Sequence, residues 1–178
     1  MSNQTDLVAL SQGNATGLTP LAGSVVQVAY EKFSSPVSVS ASSYDVITMN
    51  FTPMYSTSLL MLETSVFIGA TDSGSNIDIG MKILRDGTQI TTGANASGSS
   101  GGNDVLDGGN DFWNADNRGG WFRMRFSGTI TTTANSTSQT TFIVRVQTDN
   151  TRTININRAA QTANMTGVSH LKVMEIAQ

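Results

Sequence analysis

Ser169-His-Leu-Lys-Val-Met-Glu-Ile-Ala177 is the stretch on which the reading of the chain turns. From Val168 to Ile176 the residues alternate with period two, as a β-strand requires. Leu171 and Val173 fall on one face and Met174 and Ile176 on the other. A strand with apolar residues on both faces is expected to be covered on both sides.

Working back from this strand, the same period recurs. Val26, Val28 and Tyr30 alternate with Val25, Gln27 and Ala29, and Val37 to Ala41 alternates strictly. Val46 to Phe51 follows, closed by the turn signal Thr52-Pro53. The run Ser58 to Ala70 places Leu60, Leu62, Val66 and Ile68 on one face with Thr64 between them, again with apolar residues on the opposite face. Ile77, Ile79, Met81 and Ile83 make a one-faced strand, and Arg85-Asp86-Gly87-Thr88 supplies the Asp-Gly hairpin signal before Gln89 to Thr92. After a polar stretch, Phe122, Met124 and Phe126 oppose Trp121, Arg123 and Arg125. Phe142, Val144 and Val146 oppose Ile143, Arg145 and Gln147, and Ile154 and Ile156 oppose Asn155 and Asn157. About nine or ten strands separated by turn signals predict an all-β sandwich or barrel. No apolar stripe keeps a 3.6-residue period over three turns, so no helix is expected.

Composition narrows the function classes. The chain has 178 residues, enough for one domain with a real core. Only 13 % are charged, about half the usual share, and Ser, Thr, Asn, Gln and Gly fill the deficit. The net charge is −3 with no basic stripe, which argues against nucleic-acid binding by counterion release. There is no cysteine, hence no disulfide framework or thiolate metal site. No run approaches the roughly 18 apolar residues of a membrane helix, and Met1-Ser-Asn-Gln-Thr-Asp6 does not resemble a signal peptide. Synthesis and assembly in a cytoplasm are expected.

Residues 1–23 read as an N-terminal arm before a domain over 24–178. Leu7, Val8 and Leu10 are its candidate contacts with a partner. Residues 93–119, rich in Gly, Ser, Asn and Asp, form the longest loop, and long loops in compact domains often carry function. Phe112, Trp113, Arg118 and Trp121 in and beside it are candidates for a contact surface; the alternative is that the aromatics pin the loop to the sheet. Arg123 and Arg125 are either partners for a neighbour's carboxylates or a solvated strand face. Gly101 to Asp111 resembles the calcium-binding nonapeptide of β-roll proteins, with Asp104, Asp107 and Asp111 as weak candidate ligands. It holds fewer than two units, so a polar turn-rich loop with no metal or cofactor is the expectation. The aspartates, with Asp116, offer carboxylate pairs for glycoside hydrolysis but sit on a Gly-rich loop rather than a rigid scaffold. His170 is the one histidine, with no acid near it in sequence, and is expected at an interface rather than in a catalytic triad. No enzyme is expected.

The ordered set Gly23–Val28, Phe51–Pro53, Arg85–Thr88, Thr140–Val146 and Leu171–Ala177 resembles the jelly-roll domain of tailed-phage virion proteins, of the tumour-necrosis-factor or C1q type. The resemblance spans residues 23–177, with 98–120 looking like an insertion. It implies an antiparallel jelly-roll β-sandwich, a homotrimer, and a non-enzymatic structural role in the virion. The sheets meeting around the trimer axis would place His170, Lys172 and Met174 toward a subunit contact. Fibre proteins of this kind carry the domain after a long shaft, whereas 22 residues precede it here. That favours a capsid decoration or cement protein, partnered by itself and by the major capsid protein or another virion protein. The alternative is the receptor-binding tip of a tail or head fibre facing a host glycan or protein. A carbohydrate-binding or hydrolytic module outside any virus shares the same fold class.

Overall fold

The computed structural model describes residues 20–72, 79–90, 106–109, 120–158 and 166–178. These form nine β-strands and no helix: β1 (Val25–Phe33), β2 (Val37–Phe51), β3 (Leu59–Asp72), β4 (Ile79–Arg85), β5 (Thr88–Gln89), β6 (Asp107–Gly109), β7 (Gly120–Thr133), β8 (Thr140–Ile156) and β9 (Ser169–Ile176). Every pairing is antiparallel. The all-β antiparallel expectation therefore holds for the described residues.

The pairings are nested. The first strand pairs with the last, β2 with β8 and β3 with β7, while β4 at the centre pairs with β5 and β6. Cross-pairs β9–β3 and β4–β8 join these into two branches, β1-β9-β3-β7 and β2-β8-β4 with β5 and β6. The 17-residue β8 belongs to both. Its first half lies between β2 and β4, and Ile154–Ile156 lie between β2 and β3.

The inward faces of both branches share one core. Leu60, Leu62, Val66 and Ile68 of β3, Met81 and Ile83 of β4, Phe142, Val144 and Val146 of β8, and Leu171 and Val173 of β9 are buried in it. Each side chain so buried contributes about 1.5–3 kcal/mol of transfer free energy. The faces read from sequence for Leu60 and Leu62 of β3, Met81 and Ile83 of β4, and Phe142 and Val144 of β8 match this burial.

Three departures have physical causes. Val37–Ala41 and Val46–Phe51 are one strand, with register irregularities at Ala41/Ser43 and Asp45/Ile47. Such bulges bend a strand without ending it, and the second leaves the adjacent Val46 and Ile47 both buried. The loop 93–119 contains β6, whose Asp107–Gly109 pair with Ile79–Met81, while the Leu106 amide donates to the Met81 carbonyl at 2.7 Å. Gly-Gly sequence reads as a turn, and only the free edge of β4 makes it a strand. Finally, Asn155 and Asn157, which alternate with Ile154 and Ile156, are buried as well. Asn157, at φ 56°, donates from its side-chain amide to the Phe33 carbonyl at 2.7 Å. Its amide oxygen accepts the Ser169 hydroxyl at 2.7 Å, so burial leaves no polar atom of this pair unsatisfied.

The Asp-Gly hairpin forms between β4 and β5. Asp86 (φ 50°) and Gly87 (φ 81°) supply the successive positive φ values of a type I′ turn. The Asp86 carboxylate accepts from the Thr140 hydroxyl at 2.6 Å and the Thr141 amide at 2.8 Å. Arg85 donates to the Thr133 carbonyl at 2.7 Å, to the Ala134 carbonyl, and to the Thr140 hydroxyl at 3.2 Å. The turn thus locks the β7–β8 connection onto β4.

Candidate interaction face

The register of β1-β9-β3-β7 sets the outward side chains of this branch in rows. The first row is Val25, Ile176, Leu59 and Thr133; the second is Val28, Met174, Met61 and Thr131. The third is Tyr30, Lys172, Glu63 and Thr129; the fourth is Lys32, His170, Ser65 and Ser127. Beyond them Phe67 pairs with Arg125. On β1, β9 and β3 the first two rows are wholly apolar, and the face turns polar along β7. Val28 and Tyr30 are 56 % and 58 % exposed, while Met174, Ile176, Leu59 and Met61 are half-buried.

His170, Lys172 and Met174 therefore stand side by side on this face. Lys172 pairs with Glu63 at 2.6 Å, and the hydrogen bond from Lys172 lowers the Glu63 carboxyl below its usual range. The His170 ring stacks on Tyr30 with centroids 5.6 Å apart. Arg125 donates to the Ser65 hydroxyl at 2.8 Å and lies over the Phe67 ring at 5.9 Å. It is thus tied to its own sheet rather than simply solvated. An apolar half beside a charged half is the composition of a contact patch with a polar rim.

The opposite branch provides the contrast. Its outward rows hold Asp45, Arg145 and Lys82, then Asn50 and Thr141. Asp45 and Arg145 form an ion pair that raises the Arg145 pKa above its ordinary value. The Lys82 ammonium donates to Gln147, and the Thr141 hydroxyl donates to Asn50 at 2.9 Å. Apart from Ile143 and Leu84, this face is polar and satisfied within itself.

The end of the apolar branch carries a feature missed in the sequence. Glu175 is fully buried, in phase with Leu171, Val173 and Ala177. Its carboxylate accepts the Met54 amide at 2.9 and 3.0 Å, the Tyr55 amide at 2.9 Å, and the side-chain amide of Gln27. Gln27 also donates to the Thr52 carbonyl at 2.9 Å. The buried Ser58 hydroxyl also acts on this carboxylate and helps to lower its pKa. Burial alone would raise the Glu175 pKa; the Met54, Gln27 and Tyr55 N–H groups and the Ser58 hydroxyl more than offset it, and the net shift is downward. A charged residue in step with an apolar stripe was the available signal.

Of the other candidates, Leu7, Val8, Leu10, Asp104, Asp111, Phe112, Trp113 and Arg118 lie outside the described residues. Asp107 opens β6 opposite Met81, and Trp121 pairs with Thr71 in β7; the side chains of both are outside the described set. Among the described residues no three His, Asp or Glu side chains gather as a metal site. Comparison of the chain with models of protein families and with curated proteins finds no match.

Proposed function

We propose that the chain is a virion structural protein. In this reading it is a jelly-roll β-sandwich that assembles as a homotrimer and decorates a capsid. The observation that carries the reading is the nesting of β1–β9, β2–β8 and β3–β7. Such pairing is what results when one long hairpin rolls up into two sheets, the jelly-roll topology. It agrees with the ordered sequence resemblance to phage virion domains.

The subunit contact is the outward face of β1, β9 and β3. A solvated sheet face would resemble the polar rows of the opposite branch; this one presents Val25, Val28, Met61, Met174 and Ile176. Its charges are of both signs, Glu63 with Lys172 and Lys32 beyond, so like faces can meet without a large net repulsion. The protein then acts mechanically. A trimer seated where capsid subunits meet adds buried surface to the lattice, and the arm over residues 1–23 extends the grip.

Copy number tests the reading. Densitometry of this chain against the major capsid protein, in purified particles of the phage that encodes it, should give a stoichiometry comparable with the capsid subunit. A few copies per particle would move the protein to a fibre tip. Absence from the particle would refute a virion role.

A further inference from the structure

We propose that Glu175 is an acid-released latch: its ionised carboxylate holds the 52–58 turn and the edge strand β1 on the end of β9, and protonation frees both.

The geometry draws its strength from the charge. The groups gathered on Glu175 are two main-chain amides from the turn and one side-chain amide from β1, with the Ser58 hydroxyl beside them. An ionised carboxylate is acceptor-only and can satisfy them together, whereas the protonated acid turns one oxygen into a donor, which the Ser58 hydroxyl can accept but the amides cannot, and leaves the amides a neutral acceptor in place of a charged one. The Met54 and Tyr55 amides have no other bond partner to fall back on among the described residues. Gln27 couples turn and strand directly, since it bonds both Glu175 and Thr52.

The neighbours leave Glu175 as the titrating element. β1 presents Gln27, β3 pairs Leu60 with Glu175, and the turn presents Tyr55 and Ser58. No charged side chain among the described residues contributes to its pKa shift. The nearest ion pair in register, Glu63–Lys172, is on the opposite face of the sheet. The sign follows from the lowered carboxyl. The latch is closed above the ordinary glutamate range and opens as pH falls through the lower folded-state value. Because Val25, Val28 and Tyr30 are carried on β1, opening also unsettles the β1 side of the apolar face.

Amide hydrogen exchange of the full chain, followed by NMR from pH 7 to pH 3 and corrected for intrinsic rates, tests this. The Met54 and Tyr55 amides should lose protection about 10- to 100-fold, the range for losing a bond to a charged acceptor. They should do so in step with the Glu175 carboxyl carbon shift, while Leu62 and Ile130 in the β3–β7 ladder stay protected. In Glu175→Gln the two amides should be poorly protected already at pH 7, with no acid step. If that variant does not fold, Gln27→Ala keeps the carboxylate but removes one donor, and should move the acid midpoint upward. Protection that persists at pH 3 after Glu175 has titrated would overturn the proposal. So would an acid step retained in Glu175→Gln, or a midpoint unmoved by Gln27→Ala.

Discussion

Replacing Asp86 by alanine should be among the most costly single changes at the protein surface. The side chain is exposed, so a survey by burial would pass over it. Its carboxylate nevertheless accepts from the Thr140 hydroxyl and the Thr141 amide, two bonds of about 0.5–1.5 kcal/mol each at an exposed site. Its backbone lies at φ 50°, where an alanine is strained by about 1–2 kcal/mol. The sum is about 2–5 kcal/mol for Asp86→Ala. Asparagine tolerates the left-handed backbone and retains an acceptor, so Asp86→Asn should cost about 0.5–1.5 kcal/mol. Urea unfolding at one fixed protein concentration separates the two, with a midpoint shift of about 1 M or more for alanine. The hydrogen bond from Thr140, and then that from Thr141, lower the Asp86 carboxyl below its ordinary value. Its contribution is therefore complete above the usual aspartate range and lost as pH falls through the lower folded-state value, and the gap between wild type and Asp86→Asn should close in strong acid. Equal costs for the two substitutions would refute the strain argument. A cost under about 0.5 kcal/mol for both would refute the lock itself.

Two further outcomes follow from the packing. A Cβ at Gly128 would stand 2.7 Å from Leu106 Cγ, so Gly128→Val should displace Leu106 from its seat and cost about 1–3 kcal/mol in thermal unfolding; an unchanged melting temperature would show that the segment is not seated there. Met174→Asp, in the centre of the apolar row, should weaken self-association about 30-fold or more. Thr131→Asp, in the same row on the polar β7 edge, should change it less than about threefold by sedimentation. Equal effects of the two would remove the contact from this face.

Period two placed the strands well where one face packs into the core. Phe142 to Val146 alternate in sequence as they do in burial, and Leu60 to Ile68 do so except at Ser65, which is buried between Thr64 and Val66. It was less informative where tertiary pairing decides. Asp107–Gly109 becomes a strand only because β4 has an edge to offer. Asn155 and Asn157 are buried because β8 runs between β2 and β3 at that end. The bulge at Val25/Gln27 shifts the parity of β1, aligning Val25 with Val28 and Tyr30 on the outward face. At the candidate face, His170, Lys172 and Met174 could be grouped from β9 alone. Their companions Val28, Tyr30, Met61 and Glu63 could not, since register between strands distant in sequence is not written locally. Glu175 showed its phase but not its donors, which come from Gln27 of β1 and from the turn at Met54 and Tyr55, all far away in sequence.

In the proposed trimer the outward face of β1, β9 and β3 joins three copies of the chain. Light scattering on the purified protein, coupled to size separation, measures this directly. The mass expected is three times the 18.8 kDa of one chain, reduced to one chain by Met174→Asp. A mass of one or two chains for the unaltered protein at every concentration would contradict it.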